Sequence, residues 1–348
     1  MAEVPPVAAL DLTNAPKIRA ALDAKAKPAG ALGRLEVLAL QIALIRGTDT
    51  PKLGEARLIV FAGDHGLTAE GVTAYPSIVS GLIAQLILDG RAGANIMAAQ
   101  SGTTVLVVDA GLLRPLPPHP LLIEHRIAAG TRNSRREAAM TAAQYDRALA
   151  AGIAIAGAEI DRGADILALG EVGIGNTSAA ALVAHAVTGI ALATLVGPGA
   201  GAPPGGIAHK RAVLEAAYGR QPVRHPAAAL AEFAGFEMVM LAGAMIGAAV
   251  HNRMVLVDGF IATAVATAAV ALAPNLRERL IFAHASTEPG HKALLGHLGA
   301  TPLLDLGMAL GEGTGAALAI PLVRAAAAIL TGMDDLAAVL ARAGGSPA

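Results

Sequence analysis

Five short apolar runs recur along the chain, each closed by loop residues and then followed by helix formers. They are residues 58–62 (LIVFA), 103–110 (TTVLVVDA), 165–169 (DILAL), 255–258 (VLVD) and 280–283 (LIFA). A strand with one wet face alternates polar and apolar positions, whereas a run of about four to eight apolar residues suits a strand covered on both faces. Strands spaced by helical stretches argue for parallel pairing, because a parallel connection must cross back over the sheet. The expected fold is therefore α/β, a Rossmann-like parallel sheet with helices on both faces. In such sheets ligands bind beyond the carboxyl ends of the strands.

The two ends of the chain read differently. Residues 16–46 and 321–342 are helical in pattern with no strand between, so the termini are expected to pack together as a small helical domain. This gives residues 1–50 and 321–348 to the small domain and 51–320 to the α/β domain. Residues 112–120 (LLRPLPPHP) and 197–206 (GPGAGAPPGG) read as loops. The 348 residues are 54% hydrophobic, which supplies a large core for one large or two modest domains.

Charge and cysteine usage narrow the partners. A formal net charge of −1 gives no electrostatic reason to expect nucleic acid or an anionic membrane surface. Zero cysteines exclude disulfides, thiolate catalysis and cysteine-held metal, and agree with a reducing cytoplasm. The first residues show no basic segment leading into an apolar one, so no secretory signal is expected. Residues 238–250 and 259–273 are the most apolar stretches; they are shorter than the roughly 20 residues of a spanning helix. His251, Asn252, Arg253 and Asp258 interrupt them, and no membrane span is expected.

The chemistry-bearing candidates lie at strand ends. Ala-Leu-Gly-Glu occurs twice, at 168–171 and 309–312, each time before a glycine-threonine turn and an alanine-rich stretch. The first copy, ALGEVGIGNTSAAAL, offers Gly170, Gly173 and Gly175 for close backbone approach and Asn176, Thr177 or Ser178 as a helix cap. That arrangement suits either a phosphate at a helix N-terminus or, more simply, a tight structural turn. It matches neither the P-loop nor the dinucleotide fingerprint. In the second copy Glu312 stands between glycines, either as a carboxylate at a helix N-terminus or as a general base raised by apolar neighbours such as Leu310.

His284, His291 and His297 are spaced by seven and six residues, which fits no metal motif. Asp64-His65 closes the first apolar run, as a catalytic pair or a loop hydrogen bond. Lys210, in His209-Lys210-Arg211 after the glycine-rich loop, is a solvated helix start or a phosphate partner.

Several of these segments, taken in order, resemble one family. FAGDHG, GVTAYPSIVS, ALGEVGIGNTSAAA, the glycine-rich loop before His209, AHASTEPGH and PLLDLGMALGEGTGAALAIPL follow the order and rough spacing of nicotinate-nucleotide:dimethylbenzimidazole phosphoribosyltransferases. KPAGALGRLE resembles that family's N-terminal signature, and the likeness runs from about Lys27 to Ala325. It implies transfer of the 5-phosphoribosyl group of nicotinate mononucleotide to 5,6-dimethylbenzimidazole or a related base, in a homodimer, with no metal or other cofactor. Glu312 matches the family's catalytic glutamate. Glu171, Gly173, Gly175, Asn176, Thr177, Ser178, Gly199, Gly201, Lys210 and Ser286 match phosphoribosyl contacts. Tyr75, Pro76, Ile83 and Leu310 match the base pocket.

There are departures from the pattern. Gly-Pro-Gly-Ala-Gly at 197–201 replaces a usual Gly-Arg-Gly-Thr-Gly. Ile78 and Ile83 stand where some members carry acidic and glutamine side chains, and Ala283 replaces a serine. The alternative they leave is a non-catalytic or altered-specificity nucleotide-binding homologue of the same fold.

Overall fold

The computed structural model describes residues 3–199, 201, 205–342 and 344. Six strands form the main sheet: β1 (Glu55–Gly63), β2 (Thr104–Gly111), β3 (Leu122–Glu124), β4 (Ala164–Val172), β5 (Met254–Val257) and β6 (Leu280–Phe282). They pair in parallel throughout, in the order β3-β2-β1-β4-β5-β6. The chain order reverses around β1, and β1 and β4 end side by side, with Phe61 opposite Glu171. A second, two-stranded parallel sheet joins β7 (His284–Ser286) to β8 (Leu304–Met308).

Alternation of side chains explains why these runs are apolar without a break. Leu58, Val60 and Ala62 of β1 enter one hydrophobic cluster, and Ile59 and Phe61 enter the other, so each face of the strand has its own core. The second cluster holds the helices Ala142–Asp161, Asn176–Thr188, Phe236–Val250 and Phe260–Leu272. The last two are the stretches most suspect for a membrane, and they are core helices of this face.

The terminal helices cover the first face. Ala15–Asp23, Arg34–Arg46 and Thr314–Gly332 share one cluster with Leu58, Val60 and Ile166 of the sheet. The helical pattern over 16–46 is two helices, broken where Pro28, Gly30 and Gly33 cannot sustain one. The expected helix over 321–342 starts earlier, at Thr314, and ends at Gly332 before a short helix Leu336–Arg342. The boundary drawn after residue 320 therefore falls inside one helix. The chain ends meet directly: Ala26 N donates to Asp334 O at 2.9 Å and Leu336 N to Ala24 O at 2.9 Å. Lys25 Nζ reaches Met333 O and Asp335 Oδ1, each at 3.0 Å.

Among the described residues Thr314–Gly332 is long and apolar enough to cross a membrane. It carries Pro321 and Arg324, and its Ala316, Ile320, Val323 and Ala327 are buried against the sheet and the helix Arg34–Arg46.

Candidate active site

A cavity of about 520 Å³ opens at the carboxyl ends of β4 and β5, as an open parallel sheet requires. Ten of the expected site residues line it: Glu171, Gly173, Asn176, Thr177, Gly199 and Ser286, together with Tyr75, Ile83, Leu310 and Glu312. Pro76 and Gly201 are exposed outside it. Ala200 and residues 202–204 of the glycine-rich loop lie outside the described residues.

The two Ala-Leu-Gly-Glu turns touch. Glu312 N donates to Glu171 O at 3.2 Å, and a Cβ on Gly170 would stand 2.5 Å from Glu312 C and Gly313 N. Only glycine fits at 170. The second turn is strained as well as close, because Gly311, Glu312 and Gly313 have successive φ values of 84°, 63° and 78°. A glutamate in that region costs about 1–3 kcal/mol, a strain that persists where the surroundings over-determine the backbone.

The Glu312 side chain is 9% exposed, and its Oε2 accepts from Ala94 N at 3.4 Å. Burial raises its carboxyl above the usual range, the Ala94 N–H opposes this, and the charge of Asp258 adds to the rise. Glu171, also buried, accepts a hydrogen bond from Asn176 Nδ2 at Oε2. Burial, then Asp258, Glu237 and Glu312, push its carboxyl well above the ordinary value.

The turn after Glu171 differs from expectation in its cap. Gly175, at φ 95°, is the N-cap, and Asn176, Thr177 and Ser178 are the first helical residues. Asn176 is turned to Glu171 and Thr177 faces the cavity. Ser178 points the other way: its hydroxyl is fully buried without a hydrogen-bond partner among the described residues, and its N–H bonds Gly175 O at 3.0 Å. One helical residue turns the side chain by about 100°, which separates Ser178 from the cavity-facing Thr177.

Lys210 lies behind Thr177 rather than on the cavity wall. It is 2% exposed, and Nζ donates to Thr177 Oγ1 at 2.9 Å and to Gly197 O at 3.1 Å. Burial lowers its pKa to about 8, with the Glu288 carboxylate opposing. Glu288 Oε1 accepts from Gly199 N at 3.0 Å, which ties the glycine-rich loop to the cavity. Ser286 is fixed by His291, whose Nδ1 accepts from Ser286 N at 2.8 Å. His291 therefore carries its proton on Nε2, 3.0 Å from Thr263 Oγ1, and burial holds its pKa down to about 4. His297 is exposed.

Comparison with known proteins follows the same outline. A family model described as phosphoribosyltransferase matches residues 7–339. The chain is 47% identical over 332 residues to the nicotinate-nucleotide–dimethylbenzimidazole phosphoribosyltransferase of Cupriavidus necator, covering 95% of this chain and 96% of that one. It is 45% identical over 322 residues to the enzyme of that name from Shewanella loihica, covering 92% and 94%. The chain belongs to this phosphoribosyltransferase family. The crystal structure of CobT from Thermus thermophilus matches with a TM-score of 0.91 at 41% identity, covering 96% of this chain and 99% of that one.

Within this phosphoribosyltransferase, three buried groups that the sequence did not mark as site residues lie at or beneath the site. Asp258 closes β5 and lines the cavity, as does His284 on β7. Glu237 is hidden in the apolar helix Phe236–Val250, where its Oε1 lies 2.7 Å from His65 Nε2. His65 is also buried, packed beneath Gly173. Burial alone would lower its pKa, but the Glu237 charge and hydrogen bond, with Asp64, raise it on balance. Asp64-His65 thus supports the turn from below instead of lining the cavity. Asp64 Oδ2 accepts from Leu113 N at 2.8 Å.

Proposed function

We infer that the chain transfers the 5-phosphoribosyl group from nicotinate mononucleotide to 5,6-dimethylbenzimidazole or a related base, the step that prepares the lower ligand of cobalamin. The products are nicotinate and α-ribazole 5′-phosphate. One observation carries the assignment of Glu312 as base: a carboxylate with a raised pKa, mounted between Gly311 and Gly313, lines a cavity with the apolar side chains of Tyr75, Ile83 and Leu310.

The chemistry calls for such a group. One azole nitrogen attacks the anomeric carbon while the other loses its proton to Glu312. The carbon–nitrogen bond to nicotinate breaks, and its electron pair neutralises the pyridinium ring. Conversion of a β-linked to an α-linked nucleotide requires attack on the face opposite the leaving group. A base with a raised pKa accepts the proton more readily, and positioned proton transfer contributes about 10²–10⁴-fold. Holding two substrates in line supplies much of the remainder. Burial first, and then three carboxylate neighbours, push the Glu171 carboxyl well above its ordinary value, so it holds a proton more tightly than a free glutamate.

For the phosphate, the helix Asn176–Thr188 presents its N-terminus beside Thr177, with Lys210 behind. Gly173 and Gly199 line the cavity, where a Cβ would stand 2.4 Å from Gly63 O and 2.7 Å from Thr177 Oγ1, so glycine lets the turns pack closely, and Ser286 adds a hydroxyl. The exposed apolar side chains Tyr75, Ile78, Leu82 and Leu310 support a homodimer that covers this region. The near-zero net charge favours small molecules over nucleic acid, and the cysteine-free composition favours the cytoplasm. Pro198, in place of an arginine, favours the second reading of altered specificity or lost transfer.

Incubation with nicotinate mononucleotide and a panel of benzimidazoles, purines and phenols, followed for nicotinate and ribotide, separates the two. Base-dependent nicotinate release supports the enzyme. Nucleotide binding without release supports the non-catalytic homologue.

A further inference from the structure

We propose that Asp258 is the positioning residue for Glu312, fastening the turn that carries it to the end of β5, with His284 holding the carboxylate in place. The proposal rests on the reading of Glu312 as base and extends it to how that base is aimed.

The helix Thr314–Gly332 begins without a side-chain cap of its own, since Gly313 is the N-cap. Its first N–H groups need acceptors. Asp258 supplies them from another strand: Oδ2 accepts from Gly313 N at 3.1 Å and Oδ1 from Ala316 N at 3.0 Å. Thr314 closes the other side, donating from N at 3.1 Å and from Oγ1 at 2.8 Å to Gly311 O. Glu312 N bonds Glu171 O. Three successive left-handed residues are thus pinned at both ends and in the middle.

Asp258 is 2% exposed, so its charge also needs a partner. His284 is 1% exposed, and its Nε2 stands 3.5 Å from Asp258 Oδ1. Its ring packs against Gly315 so closely that a Cβ there would overlap it. Neither ring nitrogen has a hydrogen-bond partner among the described residues, and both are shielded from solvent. The imidazole thus stands on the cavity wall against both Asp258 and the helix start.

The groups facing Glu312 are Asp258 after β5, Glu171 on β4 and the Ala94 N–H at the start of the helix Gly93–Ala99. His284 faces it through Asp258. Asp258→Asn removes one acceptor and one negative charge. A displacement of about 1 Å in a reacting group lowers turnover by about 10²-fold. The full chain, assayed for nicotinate release with 5,6-dimethylbenzimidazole across pH, should show kcat reduced about 10- to 100-fold. KM for nicotinate mononucleotide should stay within about 2-fold. The acid limb of the kcat profile should move to lower pH, since a like charge no longer opposes ionisation of Glu312.

Unchanged kcat, a rise in KM alone, or a fall in kcat with an unmoved acid limb would overturn the proposal. If circular dichroism shows Asp258→Asn unfolded, His284→Asn carries the test: a kcat loss of about 10-fold at constant KM supports positioning, and wild-type kcat refutes it. Glu312→Gln separates this from the underlying reading. Wild-type turnover in that variant sinks the base assignment itself, whereas lost turnover there with normal Asp258→Asn sinks only the positioning. Adding Asp258→Asn to Glu312→Gln should cost nothing further, because the two act as one unit.

Discussion

Replacing Gly170 with alanine tests whether the two Ala-Leu-Gly-Glu turns hold each other in place. The added Cβ would stand 2.5 Å from Glu312 C and Gly313 N and 2.6 Å from Glu312 O, where ordinary contact begins at 3.4 Å. The obstruction is backbone, which cannot swing aside as a side chain would, so the turns must separate by about 0.9 Å (3.4 − 2.5). Overpacking of this kind destabilises by about 1–3 kcal/mol. A shift near 1 Å in the base lowers turnover by about 10²-fold. Thermal unfolding and steady-state nicotinate release measure the two effects on one preparation. The expected result is a modest loss of stability, a large loss of kcat and a nearly constant KM for the nucleotide. A variant with wild-type kcat and a lowered melting temperature would show that the turn contact is structural only.

Other outcomes follow from the same geometry. Thr177→Ala should raise KM for nicotinate mononucleotide about 5-fold or more with kcat largely kept, since it removes a hydroxyl on the cavity wall and a partner of Lys210; an unchanged KM, read from initial rates, counts against the phosphate cradle. Lys210 loses its charge as pH rises through about 8, so nucleotide affinity in the free enzyme should be full below that point and decline above it, measured by calorimetry. Glu237→Gln should destabilise the fold by about 3–5 kcal/mol in urea titration, because it strips the charge partner from the buried His65. The raised His65 pKa adds stability that is present below its unfolded value and lost as pH rises through the folded one, and this pH dependence should vanish in the variant.

The sheet was legible because its strands are covered on both faces, which leaves β1, β2 and β4 apolar at nearly every position. The three residues of β3 and of β7 are too short to register any period, and β8, over LDLGM, is half polar. Helix bounds were harder to read. The pattern at the C-terminal end misses the start at Thr314 because the glycines before it look like loop and Pro321 looks like a beginning, although it lies inside the helix.

At the site, the echo of Ala-Leu-Gly-Glu drew attention to Glu171 and Glu312, but not to their contact, which depends on β4 and the terminal helix meeting in space. Ser178 shows the limit of motif reading: Asn176 and Thr177 just before it line the cavity, and it faces the core. Glu237 is invisible in sequence because nothing local marks a glutamate inside FEMVMLAGAMIG as the partner of a histidine far earlier in the chain.

Nicotinate release by Glu312→Gln, at saturating nicotinate mononucleotide and 5,6-dimethylbenzimidazole, tests the central claim most directly. The amide keeps the shape and the Ala94 contact but cannot take a proton. Turnover reduced by about 10²-fold or more, with KM for the nucleotide within about 3-fold, is the predicted result. Turnover within about 3-fold of the wild type would contradict it and move the search for the base to Glu171.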